Sequence, residues 1–417
     1  MRRLLGFFGA AFLSTACTTL PELPDEPEPV PVVTTPEPAA DPVIAQPLPS
    51  PPAAPIVQTP PPAPSEPPPE PVIEAPAPSG FAALPFWNDH DSRPALVAFV
   101  RGCESWSKAD PGAYLNPNLP QYGTYSDWLT ACQGASVLAS IDPSPIDARQ
   151  FFEAWFEPVQ LSTETASDGL LTGYYEPEVD VRVKPDAVFS EPILAKPASE
   201  AALNLPRAQV NASTSRVIAY GRPIDVFFLQ IQGSGRLKYG DGRVLRAAYA
   251  ANNGQTYRSI GAVLVARGEM TLEQASKQSI AAWMTRKGPA AARDLMNQNP
   301  RYIYFTEQAI REGEGPQGAM RVPLTGMGAI AVDPRYHPYG SLVWLDTTLP
   351  TAPGDYRGAP TGILVTAQDT GSAIKGPLRA DLFFGSGDAA GDRAGVQKHR
   401  ARWTLILPKY IVKPSVS

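Results

Sequence analysis

Two aspartates near the end of the chain, Asp369 and Asp381, are of a type and spacing that could exchange protons with a substrate. Asp369 lies in TAQDTGSAIKG (366–376), and its Asp-Thr-Gly-Ser tetrapeptide is the one that carries the catalytic aspartate of aspartic proteases. Those proteases need two aspartates that share a proton. This chain has one copy of the motif and lacks the later apolar segment that backs a protease active site. A dimer of single copies stays open, but the sequence disfavours a protease.

Asp369 and Asp381 belong to a series of three aspartates at the ends of apolar runs, of which Asp333 is the first. An aspartate at a strand end is most often a turn or cap residue, and this alternative is strongest for Asp333, which precedes Pro334. Asp381 precedes the apolar run LFF at 382–384, which would exclude water. Because exclusion of water raises the pKa of a carboxyl group, Asp381 is the candidate general acid and Asp369 its supporting neighbour.

The elements that must position these acids begin with helices. Apolar spacing predicts helices over 94–106, 126–138 and 145–155. The character changes at 169–183, GLLTGYYEPEVDVRV, which is aromatic and β-branched. The sequence IDVFFLQIQGSGRL at 224–237 predicts a strand that ends in a glycine-rich turn.

A helical block and then a β-rich segment complete the body of the chain. The helix signals are Ser259 before 260–267, a capping box of Thr271 and Gln274 before a helix to about Arg286, and Pro289 in the first turn of a third helix. Five short apolar runs follow: MGAIAVDP, SLVWLD, GILVTAQD, ADLFFG and RWTLILPKYIV. Closely spaced strands without long helices between them predict a small barrel.

The N-terminal segments are read as targeting and spacer sequence. Residues 1–17, MRRLLGFFGAAFLSTAC, have the charged start, short apolar run and small residues of a secretory signal. Cys17 predicts a lipoprotein in which this cysteine carries the lipid, with ordinary signal-peptidase cleavage as the alternative. Residues 18–80 predict an extended tether, because 21–80 contain 23 prolines, nine acids and no Lys or Arg.

The composition of the remaining chain excludes some functions. After the tether's nine acids and the signal's two arginines are set aside, residues 81–417 hold 33 basic and 32 acidic residues, which argues against a nucleic-acid partner. Cys103 and Cys132 either pair, as export allows, or are separate buried thiols. The histidines are scattered and the cysteines lack zinc spacing, so the sequence predicts no metal site and no cofactor.

Several longer motifs, in order along the chain, resemble those of the membrane-bound lytic murein transglycosylase A family. The motifs are LLTGYYEPEVD, FFLQIQGSGRL, YAANNGQTYRSIG and NPRYIYF, then the three strand-end aspartates of a three-aspartate domain, and finally GSGDAAGDRAG. The resemblance extends over roughly residues 165–411.

The resemblance implies a mainly β fold with helices, in which a double-psi β-barrel domain and a second, smaller, inserted β domain border a groove. Residues 81–185 and 318–417 would form the barrel domain, and 186–317 the inserted domain. The preceding segments would be the signal peptide with its lipobox-like end, 1–17, and the disordered proline-rich tether, 18–80.

The resemblance also implies a reaction. The family cleaves the bond between N-acetylmuramic acid and N-acetylglucosamine in peptidoglycan without water and leaves 1,6-anhydro ends. One carboxyl group can act first as acid and then as base, and the matching position is Asp381, with Asp369 beside it. This activity is that of a peptidoglycan lytic exotransglycosylase, a carbon–oxygen lyase acting on polysaccharide, although the residues themselves leave exo and endo action open.

Candidate substrate-binding residues follow from residue type and from the motifs. Flat rings stack on sugar faces, polar groups bind hydroxyls, and glycines let the backbone approach a glycan. The candidates are Tyr174, Tyr175, Glu176, Gln232, Gly233, Ser234, Asn253, Gln255, Lys375 and Asp388. Packing within a strand is the alternative for the tyrosines, and a solvated surface position is the alternative for Lys375 and Asp388.

Two other functions stay open at this level, a noncatalytic peptidoglycan-binding lipoprotein and a hydrolytic muramidase. The expected partners are peptidoglycan glycan strands and a membrane reached through the lipid anchor, with cell-wall synthesis or division proteins as further candidates. The expected location is the periplasmic face of the bacterial outer membrane, because Thr18 rather than an aspartate follows Cys17. The protein is expected to be a monomer.

Lipidation gives the first prediction. Replacing the cysteine, Cys17→Ala, removes the only thiol at the end of the signal, so we expect the protein to leave the membrane fraction or to be processed abnormally. Fractionation of cells that express each form, followed by immunoblotting, measures this. An unchanged distribution would contradict the anchor.

Overall fold

A computed structural model describes the fold over residues 71–76, 80–163, 168–272, 274–311 and 313–411. The predicted signal peptide, Cys17 and most of the predicted tether lie outside the described residues. No helix in these ranges is long and apolar enough to span a bilayer.

Strands outnumber helices in the described residues. The strands are β1 (Pro71–Pro76), β2 (Phe156–Thr163), β3 (Asp168–Glu176), β4 (Glu178–Arg182), β5 (Glu191–Leu194), β6 (Val217–Gly221), β7 (Gly235–Tyr239), β8 (Val244–Asn252), β9 (Ile303–Gln308), β10 (Ala329–Ala331), β11 (Leu342–Leu349), β12 (Ala359–Asp369), β13 (Arg379–Ser386) and β14 (Lys398–Pro408). The helices are α1 (Arg93–Trp106), α2 (Tyr125–Ala139), α3 (Pro145–Trp155), α4 (Glu200–Leu203), α5 (Pro223–Gln232), α6 (Ile260–Ala266), α7 (Lys277–Lys287), α8 (Pro289–Asn297) and α9 (Asp388–Ala394).

Six strands of the first sheet close into a barrel. Their order is β14-β11-β12-β10-β13-β3, and β3 also pairs with β14, which joins the two ends. Strand β10 pairs in parallel with β12, and β3 pairs in parallel with β13, while the other neighbours are antiparallel. Trp344 on β11 and Trp403 on β14 are buried in the core that the barrel shares with the N-terminal helices. Strand β2 extends the sheet beyond β14, and β1 pairs with β2.

The second sheet is built from the chain between β3 and β10. Its order is β5-β6-β4-β7-β8-β9, and a bridge between Ala195 and Phe305 joins its two ends. Val181, Leu237 and Phe305 contribute to a separate core inside it. The prediction of a mainly β fold with helices and two β bodies is therefore confirmed.

The three N-terminal helices begin and end within one residue of their predicted bounds. Phe99 on α1 contacts Phe152 on α3 and Phe156 at the start of β2, and these rings belong to the same core as the barrel. A disulfide between Cys103 and Cys132 joins α1 to α2. Of the two alternatives that the sequence left open for these cysteines, the structure has the paired one.

The end of the proline-rich segment differs from the prediction. Residues 71–76 form β1, antiparallel to β2, with Val72 opposite Ser162 and Ile73 opposite Leu161. Proline is tolerated in an edge strand, where one side of the backbone needs no donor, and the stretch VIEA supplies N–H groups between the two prolines. The proline count therefore predicted a spacer up to residue 80, but its last part covers a sheet edge.

The prediction of a strand over the apolar run at 224–237 is wrong. Residues Pro223–Gln232 form helix α5, and the strand β7 begins only at Gly235. A helix that is buried on two sides is apolar all round, so periodicity cannot separate it from a buried strand. Val226 and Leu229 pack into the core of the second sheet, while the neighbouring Phe227 and Phe228 pack against α6, α7 and α8.

The helical block is partly as predicted. Ser259 caps α6 by accepting a hydrogen bond from the Ala262 N–H, and α8 begins at Pro289. Thr271 and Gln274 do exchange the hydrogen bonds of a capping box. The helix, however, begins at Lys277 with Ser276 as its cap, so the Thr271 signal caps a turn.

Glu176, at the end of β3, joins the two β bodies. Its side chain is 0% exposed. Arg236 on β7 donates to one carboxylate oxygen at 2.9 Å, and Arg246 on β8 donates to the other at 2.5 Å. On the barrel side, Ser386 on β13 donates to Glu176 at 2.7 Å, and the Gly387 N–H donates to its carbonyl oxygen at 2.9 Å. A buried carboxylate is thus neutralised by arginines of the second sheet while its own strand belongs to the first.

This ion pair gives the second prediction. Glu176→Gln keeps the size of the side chain but leaves Arg236 and Arg246 without their shared negative charge. Removing one partner of a buried ion pair costs about 3–5 kcal/mol, so the free energy of unfolding should fall by that order. The matched control is Glu178→Gln, because Glu178 pairs with Arg236 and Lys238 at 3.6 Å on a more exposed surface.

Pairs at an exposed surface contribute about 0–1 kcal/mol, so the control should unfold nearly like the parent protein. Denaturant titrations of the three proteins measure the difference. Equal midpoints for both variants would show that the Glu176 ion pair does not hold the two bodies together.

Candidate functional site

The two candidate acids lie in one row across the barrel. Ala331 on β10 is opposite Asp369 on β12 and, on its other side, opposite Asp381 on β13. Asp381 is in turn opposite Thr172 on β3. Since neighbouring strands are about 4.8 Å apart, the Cα atoms of the two aspartates are separated by about 10 Å. The fold therefore brings together two residues that are twelve positions apart in the sequence.

Asp381 has few hydrogen-bond donors around it. The Thr172 hydroxyl donates to one of its carboxylate oxygens, and Arg379 donates to the Thr172 oxygen at 2.7 Å. Burial raises the pKa of Asp381, and the Arg379 charge and the Thr172 hydrogen bond reduce this rise without reversing it. A raised pKa favours the protonated form, which is the form that a general acid needs.

Asp369 is surrounded by more donors. The Tyr174 hydroxyl donates to one carboxylate oxygen at 2.9 Å, and the Ala319 N–H donates to the other at 3.0 Å. Burial raises the pKa of Asp369 to about 6, against hydrogen bonds from the Thr370 N–H, Tyr174 and Ala319, and the negative charge of Asp381 adds to the rise. The charge of Asp381 therefore affects the ionisation of Asp369.

Asp333 has a different environment. It is buried and forms an ion pair with Arg335 at 2.6 Å, and it accepts the Gly376 N–H at 3.0 Å. Burial opposes ionisation here, but the hydrogen bonds from Arg335 and Gly376 lower the pKa of Asp333 to about 2. This carboxylate is permanently charged at neutral pH and holds a turn, in agreement with the turn alternative.

A cavity of about 250 Å³ lies between the barrel and the helices of the second body. Asp381 does not line it, but Thr172, whose hydroxyl donates to Asp381, does. Thr172 and Gly173 of β3 and Lys398 of β14 line its barrel side. Tyr257, which precedes α6, lines the opposite side. Burial raises the pKa of the Tyr257 hydroxyl, and a hydrogen bond with Ser259 lowers it. The charge of Asp381 also raises this pKa, so Tyr257 of the second body lies near Asp381 of the barrel.

The two predicted tyrosines of β3 point in opposite directions. Tyr174 donates to Asp369, and its ring lies 5.2 Å from that of Phe383, centroid to centroid. Tyr175 is buried, its hydroxyl contacts the Lys277 ammonium, and its ring packs so closely on Gly391 that a Cβ there would come within 2.5 Å of it. Tyr174 is therefore part of the acid cluster, and Tyr175 holds α9 against the barrel.

Three further candidates have their polar groups engaged within the protein. Both carboxylate oxygens of Glu176 are used by the ion pair described above. Asn253 is buried, donates to the carbonyl oxygens of Leu205 and Pro300, and accepts from the Tyr302 N–H. The Gln232 side chain accepts from the Tyr175 N–H at 3.1 Å. These contacts hold neighbouring parts of the protein together, and of the three residues only Gln232 lines the cavity.

The remaining candidates lie nearer the surface. Gly233, in the left-handed conformation that ends α5, and Ser234 are half-buried. Gln255 donates to the Asn204 carbonyl oxygen at 3.0 Å. Lys375 is exposed on the loop after Asp369, and Asp388 is exposed in the first turn of α9. Of all the predicted substrate-binding residues, Gln232 alone lines the cavity beside Asp381.

The sequence did not indicate a role for Thr172 or Tyr257. Nor did it indicate that Arg379 would donate to the Thr172 oxygen, which in turn donates to Asp381. Thr172 and Tyr257 lie inside motifs that carried the resemblance, but a hydroxyl residue in a strand or loop has no distinctive local pattern. Their proximity to Asp381 depends on the parallel register of β3 with β13 and on the docking of the second body. In the described ranges no cluster of three or more His, Cys, Asp or Glu side chains could hold a metal ion.

Comparisons with known proteins agree with this arrangement. The family model of the MltA specific insert domain matches residues 170–306, and that of the 3D domain matches residues 328–407. The membrane-bound lytic murein transglycosylase A of Escherichia coli K12 is 36% identical over 240 residues, which are 56% of this chain and 64% of that protein. The chain thus aligns with less than two thirds of the length of this curated relative.

Solved structures extend the match over more of the chain. The lytic transglycosylase LtgG of Burkholderia pseudomallei is 36% identical, with a TM-score of 0.56 over 82% of this chain and 98% of that one. E. coli MltA with bound chitohexaose is 28% identical, with a TM-score of 0.59 over 75% of this chain and 89% of that one. The resemblance read from the motifs is confirmed, and the chain belongs to the membrane-bound lytic murein transglycosylase A family.

Proposed function

We propose that this protein is a lytic transglycosylase that cleaves peptidoglycan glycan strands in the cleft around Asp381. The observation that carries the proposal is a half-buried aspartate whose pKa is raised and whose hydrogen-bond partner, Thr172, lines a cavity between the barrel and the second body. Family membership and the chitohexaose bound by the E. coli relative support a glycan as the substrate. The bond cleaved would be that between N-acetylmuramic acid and N-acetylglucosamine.

The different environments of the two acids support different roles. Donors directed at a carboxylate stabilise its charged form, and Asp369 has the Tyr174 hydroxyl and backbone N–H groups in that role. Asp381 has one hydroxyl partner and borders the cavity through Thr172. We therefore assign proton transfer to Asp381 and assign Asp369 the role of a supporting group that influences its ionisation.

The proposed reaction conserves the proton. Protonated Asp381 gives its proton to the glycosidic oxygen, the bond from that oxygen to C1 of the muramic residue breaks, and the glucosamine leaves with a hydroxyl. Positive charge develops at C1. The Asp381 carboxylate then takes the proton of the sugar's own 6-hydroxyl, and O6 bonds to C1. The product is a 1,6-anhydro end, Asp381 regains its proton, and no water is consumed.

We also propose attachment to a membrane through lipid on Cys17. Curated relatives are named membrane-bound, and a lipid on the N-terminal cysteine would provide that attachment. The proline-rich chain after Cys17 would let the body reach murein away from the membrane surface.

The third prediction separates the two acids. Asp381→Asn removes both the acid and the base step, so turnover should fall by about 10⁴-fold or more, at the upper end of what general acid–base catalysis supplies. Binding to insoluble murein should survive, because the change introduces no charge. Asp369→Asn should lower turnover only partly and move the pH optimum, since the proton shuttle is intact.

Turnover against pH and pull-down with murein measure these effects, and mass spectrometry of the products tests the reaction itself. Anhydro ends are expected. Reducing ends would indicate a hydrolytic muramidase, and binding without products a noncatalytic protein. A dead Asp369→Asn variant beside an active Asp381→Asn variant would reverse the assigned roles.

The fourth prediction concerns the Tyr174 hydroxyl. Tyr174→Phe removes a hydrogen bond that favours the charged form of Asp369, so the pKa of Asp369 should rise from about 6. A hydrogen bond to a charged group contributes about 1.5–3 kcal/mol, which corresponds to a rise on the order of one to two pH units. Carbon-13 NMR titration of labelled aspartate carboxyl groups measures this without substrate.

The matched control is Tyr175→Phe. The Tyr175 hydroxyl contacts Lys277, not a carboxylate, so its removal should leave the Asp369 titration in place. A Tyr174→Phe protein whose Asp369 titrates as in the parent would show that this hydroxyl does not stabilise the charged form.

A further inference from the structure

The cavity beside Asp381 has features that a neutral sugar does not require. Among the described residues that line it, the charged side chains are Lys277 and Lys398, and no carboxylate is present. Lys398 on β14 lies opposite Thr172 in the barrel register, so it continues the row that contains Asp381. Lys277, at the start of α7, reaches the cavity from the second body. Two ammonium groups from opposite sides favour an anionic ligand group.

A buried side chain with an unpaired acceptor belongs to the cavity wall. Gln397 precedes Lys398, lines the same cavity and is 3% exposed. Its amide nitrogen is directed at the carbonyl oxygens of Leu171, at 3.4 Å, and Thr348, at 3.2 Å. Its amide oxygen has no hydrogen-bond partner among the described residues. A buried acceptor without a donor is costly, and a ligand N–H or O–H would remove that cost.

Apolar side chains form the rest of the wall. Phe228, Ile231, Ile260 and Ile280 line the cavity on the side of the second body. A ligand that suits this cavity therefore combines a carboxylate, a hydrogen-bond donor and an apolar part. An amino acid joined by an amide bond has all three in a short length, whereas an unmodified chitin-type sugar has no carboxylate.

We infer that this cavity is a subsite for the stem peptide carried by the muramic residues of the substrate. A peptide carboxylate would lie between Lys277 and Lys398, a peptide N–H would donate to the Gln397 amide oxygen, and an alanyl methyl group would contact the apolar wall. This assignment rests on the proposed function. It predicts that the enzyme binds peptide-bearing strands more tightly than peptide-free ones. Thr172 links the subsite to Asp381, because it lines the cavity and donates to that carboxylate.

Binding measurements in an Asp381→Asn background test the subsite apart from catalysis. The ligands are soluble glycan strands with stem peptides, the same strands after removal of the peptides by an amidase, and chitohexaose. Lys398→Met removes one ammonium at an exposed position of β14 that should tolerate the change. The matched control is Lys184→Met, an exposed lysine that does not line the cavity.

We expect Lys398→Met to weaken binding of peptide-bearing strands about two- to fivefold, the range for a solvent-accessible ion pair. Binding of peptide-free strands and chitohexaose should change little, and Lys184→Met should change nothing. Added salt should weaken the binding of peptide-bearing strands in the parent protein more than in Lys398→Met.

Three outcomes would overturn the inference. An equal loss for peptide-bearing and peptide-free strands would indicate the lactyl carboxylate that an amidase leaves on the sugar. No loss for any ligand would show that Lys398 contacts no anionic group, and the proposed glycan cleavage would be unaffected. Failure of the parent protein to bind any of the three ligands would contradict the proposed function itself.

Discussion

The buried carboxylate of Glu176 is the interaction on which the geometry of the site depends. The chain leaves the barrel at the end of β3, enters the second sheet directly afterwards, and returns between β9 and β10. The short first crossing constrains how the two bodies meet. Glu176 lies at this crossing, and arginines from β7 and β8 neutralise it. Because a buried charge cannot be left unpaired without a large cost, the second sheet can dock only where both arginines reach this carboxylate.

Strand β3 also positions the hydrogen-bond donors of Asp369 and Asp381, so the docking of the second body and the geometry of these aspartates depend on the same strand. Side chains alternate along a strand, so Thr172, Tyr174 and Glu176 share one face. Along that face, Thr172 donates to Asp381, Tyr174 donates to Asp369, and Glu176 binds the second body. A shift of one residue in the pairing of β3 with β13 would turn all three away together. The same register therefore sets the partners of each acid and the position of the wall across the cleft.

Local patterns in the sequence predicted much of this fold but not its pairing. The helices α1 to α3 and the five C-terminal strands were found because caps, apolar spacing and glycine or proline breaks are short-range signals. Helix α5 was missed because burial on two sides erases its periodicity. Strand β1 was missed because proline content describes the chain and not the sheet edge that it covers. Asp369 and Asp381 could be proposed from their own short motifs, whereas the places of Thr172 and Tyr257 depend on contacts between distant segments.

The distance in sequence between Glu176 and its partners explains why Glu176 was predicted to bind substrate. A glutamate after two tyrosines has the composition of a sugar site. The residues of β3 alone do not predict that this glutamate will pair with arginines 60 and 70 residues later. Burial decides between the two interpretations: at 0% exposure and with both oxygens bonded to groups of the protein, the carboxylate is out of reach of a substrate hydroxyl. One face of β3 thus has two functions: Thr172 and Tyr174 donate hydrogen bonds to the two aspartates, and Glu176 joins the two bodies.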